Sequence, residues 1–297
     1  MSTPSLRPSP TALLNPCADP IFKILFTDES NEAHEALTCF LTDIIGKEVP
    51  DVVLQPNELS GETADDKQSE FDINCKIQGK IVNIEMQGLN KDDHYGKRVE
   101  YHVAHLLNHY VTKGIDWKTI PQAFQISVLN FFFDKDETDC VNYYYLRNEN
   151  GRAISRMLNV IFMELPKIET LPDEVSLLTP AQMWGKFFLY ASKPDKEDFV
   201  KELAKANRGI EMAVTVLKNI SQDEINWYHE TRYWMHISDE KSMISSAEDR
   251  GIAKGIQQKA IEAAVKNVLK YHATPEEAAE DMGAPLDKVL EALSSKK

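Results

Sequence analysis

Long apolar runs are missing from this chain. None approaches the ~18 residues that a membrane-crossing helix needs, and the longest, Phe124 to Phe133, falls far short. A secretory leader is missing too. The opening MSTPSLRPSPTALLNPC carries Arg7, but its prolines interrupt any apolar core, so it reads as a flexible lead-in and the protein as cytoplasmic. Cysteine is scarce and unpatterned. Cys17, Cys39, Cys75 and Cys140 form no C-x-x-C pair, which excludes a disulfide framework and a zinc knuckle and leaves buried free thiols as the plain reading. Positive charge is short as well. With 33 Lys and Arg against 47 Asp and Glu, the net charge is −14. Affinity for nucleic acid comes mainly from phosphate neutralisation, so any DNA must be held by a local site and not by global charge.

What is present is an ordinary globular composition, 42% apolar and 27% charged over 297 residues, with room for about two domains. DPIFKILF (Asp19 to Phe26) has helical apolar spacing. Ser30 caps a helix from Asn31 to Ile45 that Gly46 ends. Val49 to Leu54 reads as a strand and Gln55 to Ser69 as a polar loop. Asp92 to Lys113 reads as a long helix closed by Gly114. Ala123 to Phe133, Val141 to Arg147 and Leu158 to Leu165 read as strands, and from Thr179 the pattern is helical to the end.

Between them lies a hairpin, Glu70 to Gln87, turned by Gln78-Gly79. If Ile77 faces Lys80, then Asp72 lies opposite Glu85, Asn74 opposite Asn83 and Glu70 opposite Gln87. The other face pairs Phe71 with Met86, Ile73 with Ile84 and Cys75 with Val82. Opposed residues have Cβ atoms ~4.5–5.5 Å apart, where two carboxylates repel unless something neutralises them. A divalent cation does so, and oxygen-rich, thiol-free surroundings suit Mg²⁺, Mn²⁺ or Ca²⁺. A solvated sheet face fits the same spacing, and spacing alone does not choose between the two.

Asp72 followed by Glu85-Met86-Gln87 resembles the PD-(D/E)xK nuclease core in a variant with Gln in place of the final Lys. The chain resembles more closely the Rpn family of recombination-promoting nucleases, a transposase-like group of that type. The matching pieces are DPIFKILF, FLTDIIG (Phe40 to Gly46), FDINCKIQGKIVNIEMQ (Phe71 to Gln87), RVEY (Arg98 to Tyr101), KGIDW (Lys113 to Trp117), PQAFQISVLNF (Pro121 to Phe131) and EDRGIAKGI (Glu248 to Ile256). The resemblance implies an α/β (α+β) restriction-endonuclease-like fold, a mixed sheet flanked by helices, with an all-helical C-terminal region. It implies a metal-dependent DNA endonuclease linked to recombination, mobile elements or defence. Asp72 and Glu85 become metal ligands and Gln87 a water-orienting residue, with Mg²⁺ the first choice of ion and Mn²⁺ or Ca²⁺ the alternatives. Asp19 and Lys23 match the family's opening motif, and Lys23 approaches the scissile phosphate or is a plain helix-surface lysine. Gln carries no charge, which keeps alive the alternative of an inactive nuclease-fold module for DNA binding or assembly.

Arg98, His102, His105 and His109 fall on one helical stripe, which faces DNA or solvent, packs, or holds metal with a partner element; Arg98 is its candidate phosphate contact, and Tyr101 is expected to pack in the core. Arg147, Arg152 and Arg156, with Lys91, Lys97 and Lys113, are further phosphate contacts or solvated surface. Thr274-Pro275-Glu276-Glu277 is a capping box opening a helix pair. The pair looks like a helix-turn-helix, but its acidic residues favour packing or oligomerisation over reading DNA. The resulting division is 1–15 flexible N-terminus, 16–170 nuclease-like core, 171–248 helical extension and 249–297 helical tail, a candidate homo-oligomerisation unit. DNA is the expected partner and a membrane is not.

Overall fold

The structure is a computed structural model that describes residues 13–56, 58–59, 69–70, 72–89, 94–111 and 113–295. The chain divides into two compact units, Met1–Ile237 and Ser238–Lys297.

The first unit opens with helices α1 (Asp19–Thr27) and α2 (Asn31–Ile45). Ser30 caps α2 by accepting from the Ala33 N–H, and Gly46 ends it with φ 70°, a conformation that glycine adopts without a Cβ penalty. Then come β1 (Val53–Gln55), β2 (Glu58–Leu59), β3 (Ser69–Glu70), β4 (Ile73–Ile77), β5 (Lys80–Gln87), α3 (Tyr95–Tyr110), β6 (Gln122–Leu129), β7 (Val141–Tyr145) and β8 (Leu158–Glu164). Helices α4 (Leu165–Glu169), α5 (Pro180–Tyr190), α6 (Glu197–Ala206) and α7 (Arg208–Ile220) follow, and then α8 (Glu224–Tyr271).

Among the described residues the main sheet has six strands in the order β1-β4-β5-β6-β8-β7. The central β5, β6 and β8 run parallel and the outer pairings are antiparallel. α3 is the crossover between parallel β5 and β6, as parallel neighbours require. The fold is therefore restriction-endonuclease-like: a mixed sheet flanked by helices.

The strands' period of two decides which face each residue serves. Val82, Ile84 and Met86 of β5, with Phe124, Ile126 and Val128 of β6, enter the large core shared with α1, α2, α5 and α7. At its centre Phe22, Phe26, Phe40, Trp184, Phe187 and Phe188 stack edge-on or tilted at centroid distances of 5.2–6.4 Å. Ile81 and Ala123 face the other way, onto Val103 and Leu106 of α3. The stretch before α1 is tied to distant helices: the Leu14 N–H donates to Ser221 Oγ at 3.0 Å, and the Asn15 N–H to Glu230 Oε1 at 2.7 Å.

In the second unit α9 (Pro275–Met282) and α10 (Leu286–Ser294) pack with the end of α8 around Ala264, Val265, Ala278, Ala279 and Val289. The Thr274–Glu277 capping box forms as its sequence predicts. Ile252 and Ile256 stay exposed. Among the described residues no helix is long and apolar enough to cross a membrane.

Several element bounds differ from expectation. Of Val49 to Leu54, only Val53 and Leu54 are in a strand, because Pro50 cannot donate to a ladder and Val49 and Val52 turn into the core. The hairpin begins at Ile73; Glu70 pairs with Glu58 in a separate two-stranded ladder and does not face Gln87. Phe71, Lys91 and the beginning of the expected Asp92 helix lie outside the described residues. Tyr101 is exposed, not in the core, because the buried stripe of α3 runs through Tyr95, Val99, Val103 and Leu106. The long helix α8 begins at Glu224, within the stretch expected to be helical, and runs without a break across the expected 248/249 division.

Candidate active site

β4 and β5 pair in the expected register, Ile73 with Ile84, Asn74 with Asn83 and Ile77 with Lys80. Glu85 therefore points with Asn83 and Gln87 toward α3, away from Ile84 and Met86. Asp72 lies one residue ahead of β4, and its Oδ2 accepts from the Met86 N–H at 3.2 Å. The β4–β5 ladder ends at Ile73–Ile84, so Asp72 is not a ladder partner of Glu85; its anchor to Met86 brings it to the carboxyl end of β5, where the charge of Glu85 acts on it.

Glu85 is only 3% exposed. Its Oε1 accepts from Asn83 Nδ2 at 3.2 Å and shares a hydrogen bond with His102 Nδ1 at 3.3 Å; its Oε2 accepts from Gln87 Nε2 at 3.3 Å. Gln87 Oε1 in turn accepts from Arg98 Nη2 at 2.9 Å, and that guanidinium also lies over the Tyr95 ring. On the other flank, Lys23 Nζ lies 3.0 Å from Asp72 Oδ1 and 3.0 Å from Asp19 Oδ2, one turn earlier on α1. The five residues singled out from sequence, Lys23, Asp72, Glu85, Gln87 and Arg98, converge here. Arg147, Arg152 and Arg156 lie elsewhere, between β7 and β8.

Burial pushes the Asp72 carboxyl well above its ordinary range; the charge of Asp19 adds to this, Lys23 opposes it and Glu85 adds again. Burial tends to lower the Lys23 pKa, but Asp72 and Asp19 outweigh it and hold the ammonium above its usual value.

Other members join them, most with little sequence signal, apart from Asp19 of the opening motif. Asp19 is a third carboxylate, and its Oδ1 is buried without a hydrogen-bond partner among the described residues. Asn83, Gln125 and Ser127 form a buried polar ladder: Asn83 Nδ2 donates to Gln125 Oε1 at 2.8 Å, and Gln125 Nε2 to Ser127 Oγ at 3.4 Å. Polar residues at alternate positions within QAFQISVL were the available clue, since a strand buried on both faces otherwise reads as apolar. His102 leaves the histidine stripe for Glu85, while His105 stacks on Tyr101. Tyr233 of α8 sets its hydroxyl against Gly88, leaving no room for a Cβ there, and hydrogen-bonds the Asp19 backbone.

The donor set is made of oxygen. Among the described residues no group of three or more His, Cys, Asp or Glu is arranged to hold a metal. Two adjoining carboxylates with a surplus of negative charge suit a hard cation that keeps several waters and takes phosphate oxygens as further ligands. The residues present fit such an ion.

A mixed α/β sheet bearing paired carboxylates at the end of a central strand defines a nuclease-like protein. Residues 16–247 match the family model of the PD-(D/E)XK nuclease family transposases, and the chain belongs to that family. No curated protein and no solved structure matches it significantly. PD-(D/E)XK nucleases generally use divalent metals.

Proposed function

We propose that the protein is a divalent-metal-dependent DNA endonuclease acting in recombination, mobile-element movement or defence. The observation that carries this reading is the buried Glu85 carboxylate beside Asp72, flanked by two cationic side chains in an otherwise acidic protein. Asp72 and Glu85 would hold the ion, Mg²⁺ before Mn²⁺ or Ca²⁺. When bound, it lowers the pKa of a water and offsets charge on the phosphate. Gln87 orients the attacking water by hydrogen bonding, with its amide fixed between Glu85 and Arg98. Arg98 supplies, one residue removed, the positive charge that Gln87 lacks. Lys23 and Arg98 hold phosphate oxygens through charge-assisted hydrogen bonds, and His102 keeps Glu85 in its rotamer. The four free thiols agree with a cytoplasmic location.

One observation favours a second reading, a nuclease-fold binding module without turnover: Lys23 already neutralises Asp72 as a metal would. Plasmid cleavage with Mg²⁺, Mn²⁺ or Ca²⁺ against a chelator control separates the two. Asp72→Ala and Glu85→Ala abolish cleavage on the enzymatic reading, and Gln87→Ala lowers it less. A parent protein that binds but never nicks DNA selects the module. We also propose that the C-terminal helices join copies of the chain.

A further inference from the structure

The opposite end of the sheet carries a small cavity. It holds about 110 Å³ and is lined in part by Lys47, Lys80, Gln122, Phe124, Tyr145 and Arg156. Lys80 begins β5 and Gln87 ends it, seven steps of ~3.3 Å apart, so the cavity lies roughly 23 Å along the strand from the carboxylates. Lys80 and Phe124 also share the face of Ile84 and Met86, opposite to Glu85. A phosphate at the carboxylate site does not reach it.

Its charge is unusual for this protein. The chain is −14 overall, yet no carboxylate lines the cavity and three cations do. Among the described residues no ion pair engages Lys47, Lys80, Arg147 or Arg156. Two guanidiniums crowd one ring: Arg147 lies 3.8 Å and Arg156 4.7 Å from the Tyr145 centroid. Like charges brought together in this way call for an anion. The wall is built rather than loose. Asn159, 8% exposed, donates its Nδ2 to the Arg156 carbonyl at 2.8 Å and to the Ala123 carbonyl at 3.2 Å, pinning the segment that carries Arg156 to β6. Tyr143 Oη donates to the Ile44 carbonyl at 3.0 Å, fixing the side nearest α2.

Size narrows the ligand. At ~30 Å³ per water, the cavity has the room of three or four waters, enough for one tetrahedral oxyanion and far below the ~300 Å³ at which whole small-molecule sites begin. A terminal phosphate monoester carries about −1.5 to −2 at neutral pH, a better match to three cations than the single charge of an internal diester.

We propose that this cavity is a phosphate site, distinct from the carboxylate site, that takes the terminal phosphate monoester of a nucleotide or of a nucleic-acid strand. The test is calorimetric titration of the full chain in chelator, which keeps the carboxylate site free of metal. The probes are inorganic phosphate, a nucleoside monophosphate, and one oligonucleotide with and without a 5′-phosphate. Phosphate-dependent binding that Lys80→Gln/Arg156→Gln weakens by roughly tenfold or more supports the site. Lys47→Gln, outside every strand, is a second variant and weakens binding in the same direction. A stronger response to the phosphorylated oligonucleotide identifies a strand end, and an equal one identifies the free nucleotide. Absence of binding by every phosphate probe at millimolar concentration overturns the proposal, as does binding that neither variant weakens.

Discussion

Lys23 stands 3.0 Å from Asp72, bringing an ammonium from α1 to a carboxylate at the edge of the sheet, 49 residues away in sequence. The same ammonium holds Asp19, so one cation serves two carboxylates. A divalent ion on Asp72 competes with it. Lys23→Gln is therefore expected to tighten Mn²⁺ binding, measured by titration calorimetry, while slowing DNA cleavage through loss of a phosphate contact. No change in either quantity returns Lys23 to the helix surface.

Arg98 gives a salt-dependent prediction. Each neutralised phosphate contributes roughly −0.9 to the slope of log affinity against log salt on duplex DNA. Arg98→Ala is expected to flatten that slope by about one unit. An unchanged slope confines Arg98 to holding Gln87.

Gly88 and Tyr233 form a steric pair. A methyl group on Gly88 collides with the Tyr233 hydroxyl. Gly88→Ala is expected to cost about 1–3 kcal/mol, as overpacking does. Adding Tyr233→Phe removes the obstructing oxygen and recovers part of the loss. Thermal melting of the single and double variants checks the coupling, and purely additive effects refute it.

Acid stability follows from Asp173. Its partial burial favours the neutral form, but hydrogen bonds from Lys186 and Lys196 outweigh this and hold the carboxyl down at about 2. A depressed folded-state pKa stabilises the protein above the unfolded value of ~3.9, and that contribution fades as pH falls from there toward 2. Lys186 is fully buried, with its Nζ 2.7 Å from Asp173 Oδ1 and 2.6 Å from the Leu171 carbonyl. Asp173→Asn is expected to cost about 1–3 kcal/mol at neutral pH and to flatten the melting-temperature profile between pH 4 and 2. A parallel, undiminished acid slope in the variant assigns the loss to other carboxylates.

The tail supplies the fifth prediction. Ile252 and Ile256 expose an apolar stripe next to Gly251 and Gly255. A chain ending before Arg250 is expected to be monomeric in light scattering while the full chain is a dimer. Equal subunit numbers, after allowing for the deleted residues, refute the pairing.

Which of these features could be read from sequence follows from their range. The β4–β5 register is written locally, in a two-residue loop at Gln78-Gly79 and an alternation of apolar residues broken only at Ile81-Val82, and Gly79 takes the φ of 67° that its position suggests. The caps at Ser30 and Thr274 are local as well. Tyr101 was misplaced because an aromatic ring does not reveal which side of a stripe it falls on. The stretch from Thr179 reads as helical in the sequence and is helical, but the mixed polarity of α8 hides where that one helix starts. Lys23 on Asp72, His102 on Glu85 and Tyr233 on Gly88 join elements distant in sequence, and no spacing rule announces them.

The long reach of the N-terminal anchors bears on how the protein is made. Leu14 and Asn15, just ahead of Asp19, are tied to side chains 207 and 215 residues later. At ribosomal speeds of ~5–20 residues per second, those partners emerge about 10–40 s after the segment they secure. Until Ser221 and Glu230 have been made, the chain has Asp19 and Lys23 without the clasp that anchors the segment ahead of them, so the site is completed only after the helices that follow the sheet.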